Sequence, residues 1–142
     1  MSIVVGYVAT AEGRAALRRA AEEAQLRGSG LIVINSSRGG REMSGRENAR
    51  HEEELARVRA QLDDAGVASE VRQLVRGLDP AEDLIAVAEE TTADMIVIGL
   101  RKRTPVGKLI LGSNAQRILL DAPCPVLAVK ADSDDDEPGG GE

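Results

Sequence analysis

Aromatic residues are almost missing from this chain of 142 residues: Tyr7 stands alone, with neither phenylalanine nor tryptophan. Base-stacking platforms for single-stranded nucleic acid need aromatic faces, so a nucleic-acid partner is not expected. The core must instead come from Val, Ile, Leu and Ala, which suits Ala- and Leu-rich helices covering a Val- and Ile-rich sheet. Cysteine is equally scarce. Cys124 is the single one, lying between Pro123 and Pro125, so no internal disulfide forms and a cytoplasmic setting is expected. It reads as a small apolar residue rather than a redox thiol. The lone histidine, His51, sits among charged residues and reads as a helix surface position. No apolar run approaches a membrane span, and MSIVVGYVAT lacks the basic start of a signal peptide, so neither a membrane partner nor export is expected.

The charge is also uneven. The formal net charge of −6 is matched by six carboxylates in the ending ADSDDDEPGGGE, which leaves the rest of the chain neutral. The low isoelectric point therefore implies no cationic partner. Residues 131–142 read as an acidic, Gly-rich mobile tail, and residues 1–130 as a single domain.

What is present alternates. SIVVGYV (Ser2–Val8) is a buried strand, followed by a helix with Thr10 as cap and Gly28 as its end. LIVIN (Leu31–Asn35) is a second buried strand, and the polar residues 36–46 a loop. A charged helix runs from about Arg46 to Ala65 with Leu55, Val58 and Leu62 at helical spacing. Its consecutive Glu52, Glu53 and Glu54 splay around the helix as a charged face, not as a catalytic pair. Val67–Val75 is half polar, as an edge strand is. Asp79, Pro80 and Glu82 spell a capping box opening the next helix. DMIVIG (Asp94–Gly99) is the most apolar strand, and VLAVK the last one. Between them Ser113 and Gln116 repeat the capping pattern for a helix through Leu120. Strands alternating with helices predict a doubly wound α/β fold, a parallel sheet covered on both faces.

In such a sheet ligands bind beyond the carboxyl ends of the strands, where the strand order reverses. The loop GLRKRTPVGKLILGS (Gly99–Ser113) occupies such an end. Gly99 would let a backbone approach, and Gly112–Ser113 precede a helix start that favours an anion. Arg101, Lys102, Arg103 and Lys108 add positive charge. The spacing is neither a Walker A motif nor GxGxxG. By spacing alone the loop reads equally as a phosphate cradle and as a basic connector. No nucleophile–base pair and no metal-ligand spacing is visible, so the residues point to binding rather than catalysis.

The opening IVVG, the segment GLDPAEDLIAVAEETTADMIVIG and the ending GKLILGSNAQRILLDAPCPVLAV together resemble the universal stress protein family across residues 2–130. The resemblance implies a five-stranded sheet in the order 3-2-1-4-5, of the adenine nucleotide alpha hydrolase-like kind. It implies a homodimer through the last strand, here Val126, Leu127, Ala128 and Val129. One branch of the family binds ATP or related nucleotides through a loop patterned G-x2-G-x9-G-S/T, and another does not. Gly99, Gly112 and Ser113 match that pattern, but Lys102 replaces its second glycine, and Gly107 lies off the spacing. Where the binding branch carries Asp-Gly-Ser after the first strand, this chain has Val8, Ala9 and Thr10.

The candidate site is therefore Val8, Ile34, Gly99, Lys102, Gly107, Gly112, Ser113 and Asn114. Asn35 and Ser36 also face the expected cleft, whereas Tyr7 reads as a packing residue more readily than as a base stacker. Losing the aspartate at Val8 would cost about 1–3 kcal/mol of contacts if they are buried. Lys102 would either block the loop or pair with a phosphate. The expected ligand is ATP, ADP, AMP or a simple anion, held weakly, with no cofactor required. The expected role is a homodimeric regulatory module in stress adaptation. The alternative is a nucleotide switch in which occupancy of the 99–113 loop orders residues 36–46. Protein partners beyond the second copy are not legible.

Overall fold

The computed structural model describes residues 1–8, 10–37, 45–75, 79–100 and 111–131. Five strands and four helices alternate: β1 (Ser2–Gly6), α1 (Ala11–Arg27), β2 (Gly30–Ser37), α2 (Gly45–Asp64), β3 (Ser69–Val75), α3 (Pro80–Thr91), β4 (Met95–Leu100), α4 (Ser113–Asp121) and β5 (Val126–Lys130). They form one sheet in the order β3-β2-β1-β4-β5. All four strand pairs are parallel, as the alternation and the family resemblance imply.

The sequence explains the layering. β1 and β4, interior to the sheet, read as continuous apolar runs because both of their faces are covered. On one face Ile3, Val5, Val33 and Val97 meet Ala16, Leu17 and Ala20 of α1 and Val58 and Leu62 of α2. On the other, Val4, Ile34, Ile96 and Ile98 meet Leu84, Val87 and Ala88 of α3 and Ile118 of α4. The half-polar β3 takes one edge. β5 takes the other, its Val126–Val129 all half-buried. The first two strand–helix units end where glycine chemistry requires: Gly28 caps α1 at φ 63°, and Gly66 follows α2 at φ 74°.

Element ends differ from expectation by a few residues. β1 stops at Gly6 rather than Val8, although the amide of Tyr7 still donates to the Ile34 carbonyl at 2.9 Å. β2 runs on to Ser37, into residues expected as loop, because β3 pairs with it as far as Ser37↔Val75. Ala131, just past β5, is buried against Ala11 and Ala15 of α1. The acidic residues from Asp132 onward lie outside the described residues. Among the described residues no helix is long and apolar enough to cross a membrane.

Candidate functional site

β1 and β4 are neighbours whose chain connections leave in opposite directions, so their carboxyl ends leave a crevice between them. A cleft of about 230 Å³ opens there. Gly6, Tyr7 and Val8 after β1, Ile34 of β2, and Ile98 and Gly99 of β4 form its floor. Glu12 and Gly13 of α1, Pro80 and Leu84 of α3, and Asn114, Ala115 and Ile118 of α4 form its sides. The walls are mostly apolar, and three helix starts converge on them.

Two glycines fix one side. A Cβ on Gly99 would lie 2.1 Å from the Glu12 carbonyl oxygen, and a Cβ on Gly13 would lie 1.9 Å from the Val8 carbonyl oxygen. No side chain fits at either distance, because the obstacle is backbone. The first turn of α1 is thus pressed onto the ends of β1 and β4. The sequence suggests a different use for Gly99, that of letting the strand backbone approach a ligand. In the structure its bare Cα admits α1.

The three helix starts differ. Thr10 caps α1 as expected: its Oγ1 accepts from the Gly13 amide at 3.2 Å, and Glu12 brings an acid into the first turn. Asp79 stands at the cap of α3 with Pro80 first in the helix, but its side chain makes no cap bond. The carboxylate instead faces Arg117 of α4 at 3.8 Å. Arg117 also donates to Glu82 at 2.8 Å and lies 3.8 Å from Asp121, so it ties α4 to the start of α3.

α4 corrects the expectation for Ser113. Gly112, extended at φ −72° and ψ 170°, is the cap residue, and Ser113 is the first helical one. The amide of Gln116 closes the first helical bond on the Gly112 carbonyl at 3.0 Å, and this sets the start one residue early. The Gln116 side chain reaches back to the Leu111 carbonyl, not to a cap amide. With no side-chain cap, the amides of Ser113, Asn114 and Ala115 are left without an intrahelical acceptor.

Of the residues singled out in the sequence, Val8, Ile34, Gly99 and Asn114 line the cleft, and Gly112–Ser113 begin the helix beside them. Val8 is 47 % exposed, an apolar surface at the cleft's edge. Lys102, Gly107 and the other basic residues of the loop lie outside the described residues. Asn35 is not aimed at a ligand: buried, its amide donates to the Tyr7 carbonyl at 3.2 Å. The side chains of Ser36 and His51 are outside the described set. Glu12 and Gly13 were missed, because a helix's first turn carries no motif that announces contact with another strand's end.

Tyr7 is 2 % exposed, a packing residue whose hydroxyl donates to Glu54 of α2. Burial first, then the Glu54 carboxylate, push its ionisation well above the usual value near 10. Glu54 is thus drawn out of the solvated face that its neighbours form. Cys124 is half-buried against the α3 side of the core, and burial, then the charge of Asp94, push its thiol up.

The family model described as "Universal stress protein family" matches residues 1–130. A universal stress protein of Mycolicibacterium smegmatis is 48 % identical over 128 residues, covering 90 % of this chain and 96 % of that protein. The solved structure of a universal stress protein from Archaeoglobus fulgidus is 40 % identical with a TM-score of 0.75, covering 92 % of this chain and 98 % of the other. A universal stress protein of the same organism, solved in complex with dAMP, is 34 % identical with a TM-score of 0.70 over the same shares. With the family model matching nearly the whole chain and a relative of 48 % identity covered over almost its full length, the chain belongs to the universal stress protein family.

Proposed function

We propose that this protein is a binding module for an adenine nucleotide, held in the cleft above β1 and β4 with its phosphate at the start of α4. The observation that carries this reading is the bare first turn of α4 opening beside an apolar cleft at the reversal of strand order. Amides with no side-chain cap among the described residues, together with the helix dipole, favour an anion there. Apolar walls at Val8, Ile34 and Leu84 suit a planar base. The structure of the Archaeoglobus fulgidus relative in complex with dAMP supports the same class of ligand.

Affinity is expected to be modest, because Val8 offers no carboxylate to the nucleoside. Calorimetric titration of the full chain with AMP and ATP tests the proposal: micromolar or weaker saturable binding supports it, and absence of binding at millimolar ligand removes it. The module works by occupancy rather than turnover. Phosphate release from ATP above the level of a Lys102→Ala control would count against that part.

A second reading concerns assembly. β5 ends the sheet, and its outer edge has no partner strand among the described residues. Its residues Val126–Val129 stay half-buried, whereas Ile96, Val97 and Ile98 of β4, which pair with Val126, Leu127 and Ala128, are buried. Antiparallel pairing of β5 with a second copy would cover that edge. A monomer at micromolar concentration in sedimentation velocity would remove the dimer from the account.

A further inference from the structure

Glu12 is the one charged side chain among the described residues that line the cleft. Its Oε1 is shut off from solvent and has no hydrogen-bond partner among the described residues. A carboxylate oxygen without water or a donor is left in an unfavourable state. The local structure does not ask for it: the Gly13 amide already has Thr10 Oγ1 as its acceptor. Nor can the residue swing away with its helix, since its own carbonyl is pressed against Gly99.

We propose that Glu12 is the specificity-determining residue of this cleft, its carboxylate turning out of its solvent-free position to accept hydrogen bonds from the sugar hydroxyls of a nucleoside phosphate whose anion lies at α4. This rests on the reading of the cleft as a nucleotide site. A carboxylate accepts and does not donate, so it calls for a ligand with donors and repels a phosphate. A cation would also satisfy it, but the positive end of the α4 dipole borders the same cleft and opposes one. A ligand that is anionic at one end and hydroxylated at the other fits both ends at once. Hydroxyl donation to a carboxylate is a charge-assisted bond, and it fills the place of the polar contact that Val8 does not make.

The test is a double cycle on binding. Affinities of AMP and of 2′,3′-dideoxy-AMP are measured for the wild type, Glu12→Ala and Glu12→Gln. The expected loss for AMP on Glu12→Ala is roughly ten- to hundredfold. Removing both hydroxyls should cost the wild type a similar factor and cost Glu12→Ala almost nothing, because the two deletions remove the same interaction. Glu12→Gln keeps an acceptor and should fall between them. Its ligand-free melting temperature should equal or exceed that of the wild type, which separates weakened binding from unfolding. Equal costs of dideoxygenation in the wild type and Glu12→Ala, or AMP affinity indifferent to Glu12, would overturn the inference while leaving the nucleotide cleft intact. A wild type that binds no AMP would remove both.

Discussion

At the start of α1, Thr10 Oγ1 accepts from the Gly13 amide, and Glu12 adds a negative charge to the first turn. At the start of α4 the cap is Gly112, with no side chain to offer, and no acid follows in the first turn. Both helices border one cleft. The difference assigns its polarity. The α1 end has a side-chain cap and presents a carboxylate, whereas the α4 end has no side-chain cap among the described residues and presents amides. An anion has one favourable place, and a donor-bearing group has the other.

The glycines divide in the same way. Gly99 and Gly13 are required by backbone contacts near 2 Å from a built Cβ, so they hold α1 in place. Gly112 adopts a φ of −72° that any residue accepts, so its lack of a side chain matters for what it leaves open. The sharpest way to break this division is substitution. Gly99→Ala should lose ~3 kcal/mol or more through overpacking against the Glu12 carbonyl, roughly 10 °C in Tm for a domain of this size. Gly112→Ala should lose only about 0.5–1 kcal/mol, as an alanine cap does. Similar melting temperatures for the two variants would dissolve the contrast.

Next in size is Ser113→Pro. Proline suits the first helical position, and Gly112 already has the extended backbone that precedes proline. The fold should be kept while one anion-facing N–H is lost. AMP affinity should fall about tenfold, and adenosine affinity should stay unchanged. A parallel loss for both ligands would move the phosphate away from α4.

Smaller effects probe how β1 is tied to α2. Tyr7→Phe should cost ~1 kcal/mol by removing the donor to Glu54. The fold raises the ionisation of Tyr7, so its proton is held more tightly than in the unfolded chain. The stability this provides is fully present below about pH 10 and is lost as the pH climbs beyond it. Since Tyr7 is the only tyrosine, tyrosinate absorbance reads it directly. The folded wild type should show no ionisation near pH 10, and the alkaline loss of stability should be shallower in Tyr7→Phe. Least of all, Thr10→Gly, which gives α1 the kind of cap that α4 has, should cost only about a few tenths of a kcal/mol.

The fold was legible because its signals are redundant. Apolar strands, helices with spaced Leu and Val, and Gly28 and Gly66 at helix ends all indicate one parallel sheet. The half-polar 67–75 segment reads as an edge from side chains alone. The site was legible only in part. Gly99, Ile34 and Val8 lie where strand ends must lie, which position in the alternation reveals. Glu12 and Gly13 sit in a first turn whose docking against β4 depends on packing across more than 80 residues of sequence. The sequence points to Ser113 as the cap, one position late, because serine's capping preference ranks above glycine's, whereas the extended backbone at Gly112 sets the cap there. Asn35 reads from the sequence as cleft-facing and Glu54 as part of a charged helix face, but their partners, the carbonyl and the hydroxyl of Tyr7, come from a strand distant in the chain.

The central claim is that the open first turn of α4 receives the phosphate of a bound nucleotide. Backbone amide shifts of the isotopically labelled full chain, titrated in parallel with AMP and with adenosine, test it most directly. The account predicts that both ligands move the signals of Gly6 and Ile34, while AMP alone shifts the amides of Ser113, Asn114 and Ala115 strongly. AMP binding that leaves those three amides where adenosine leaves them would contradict it.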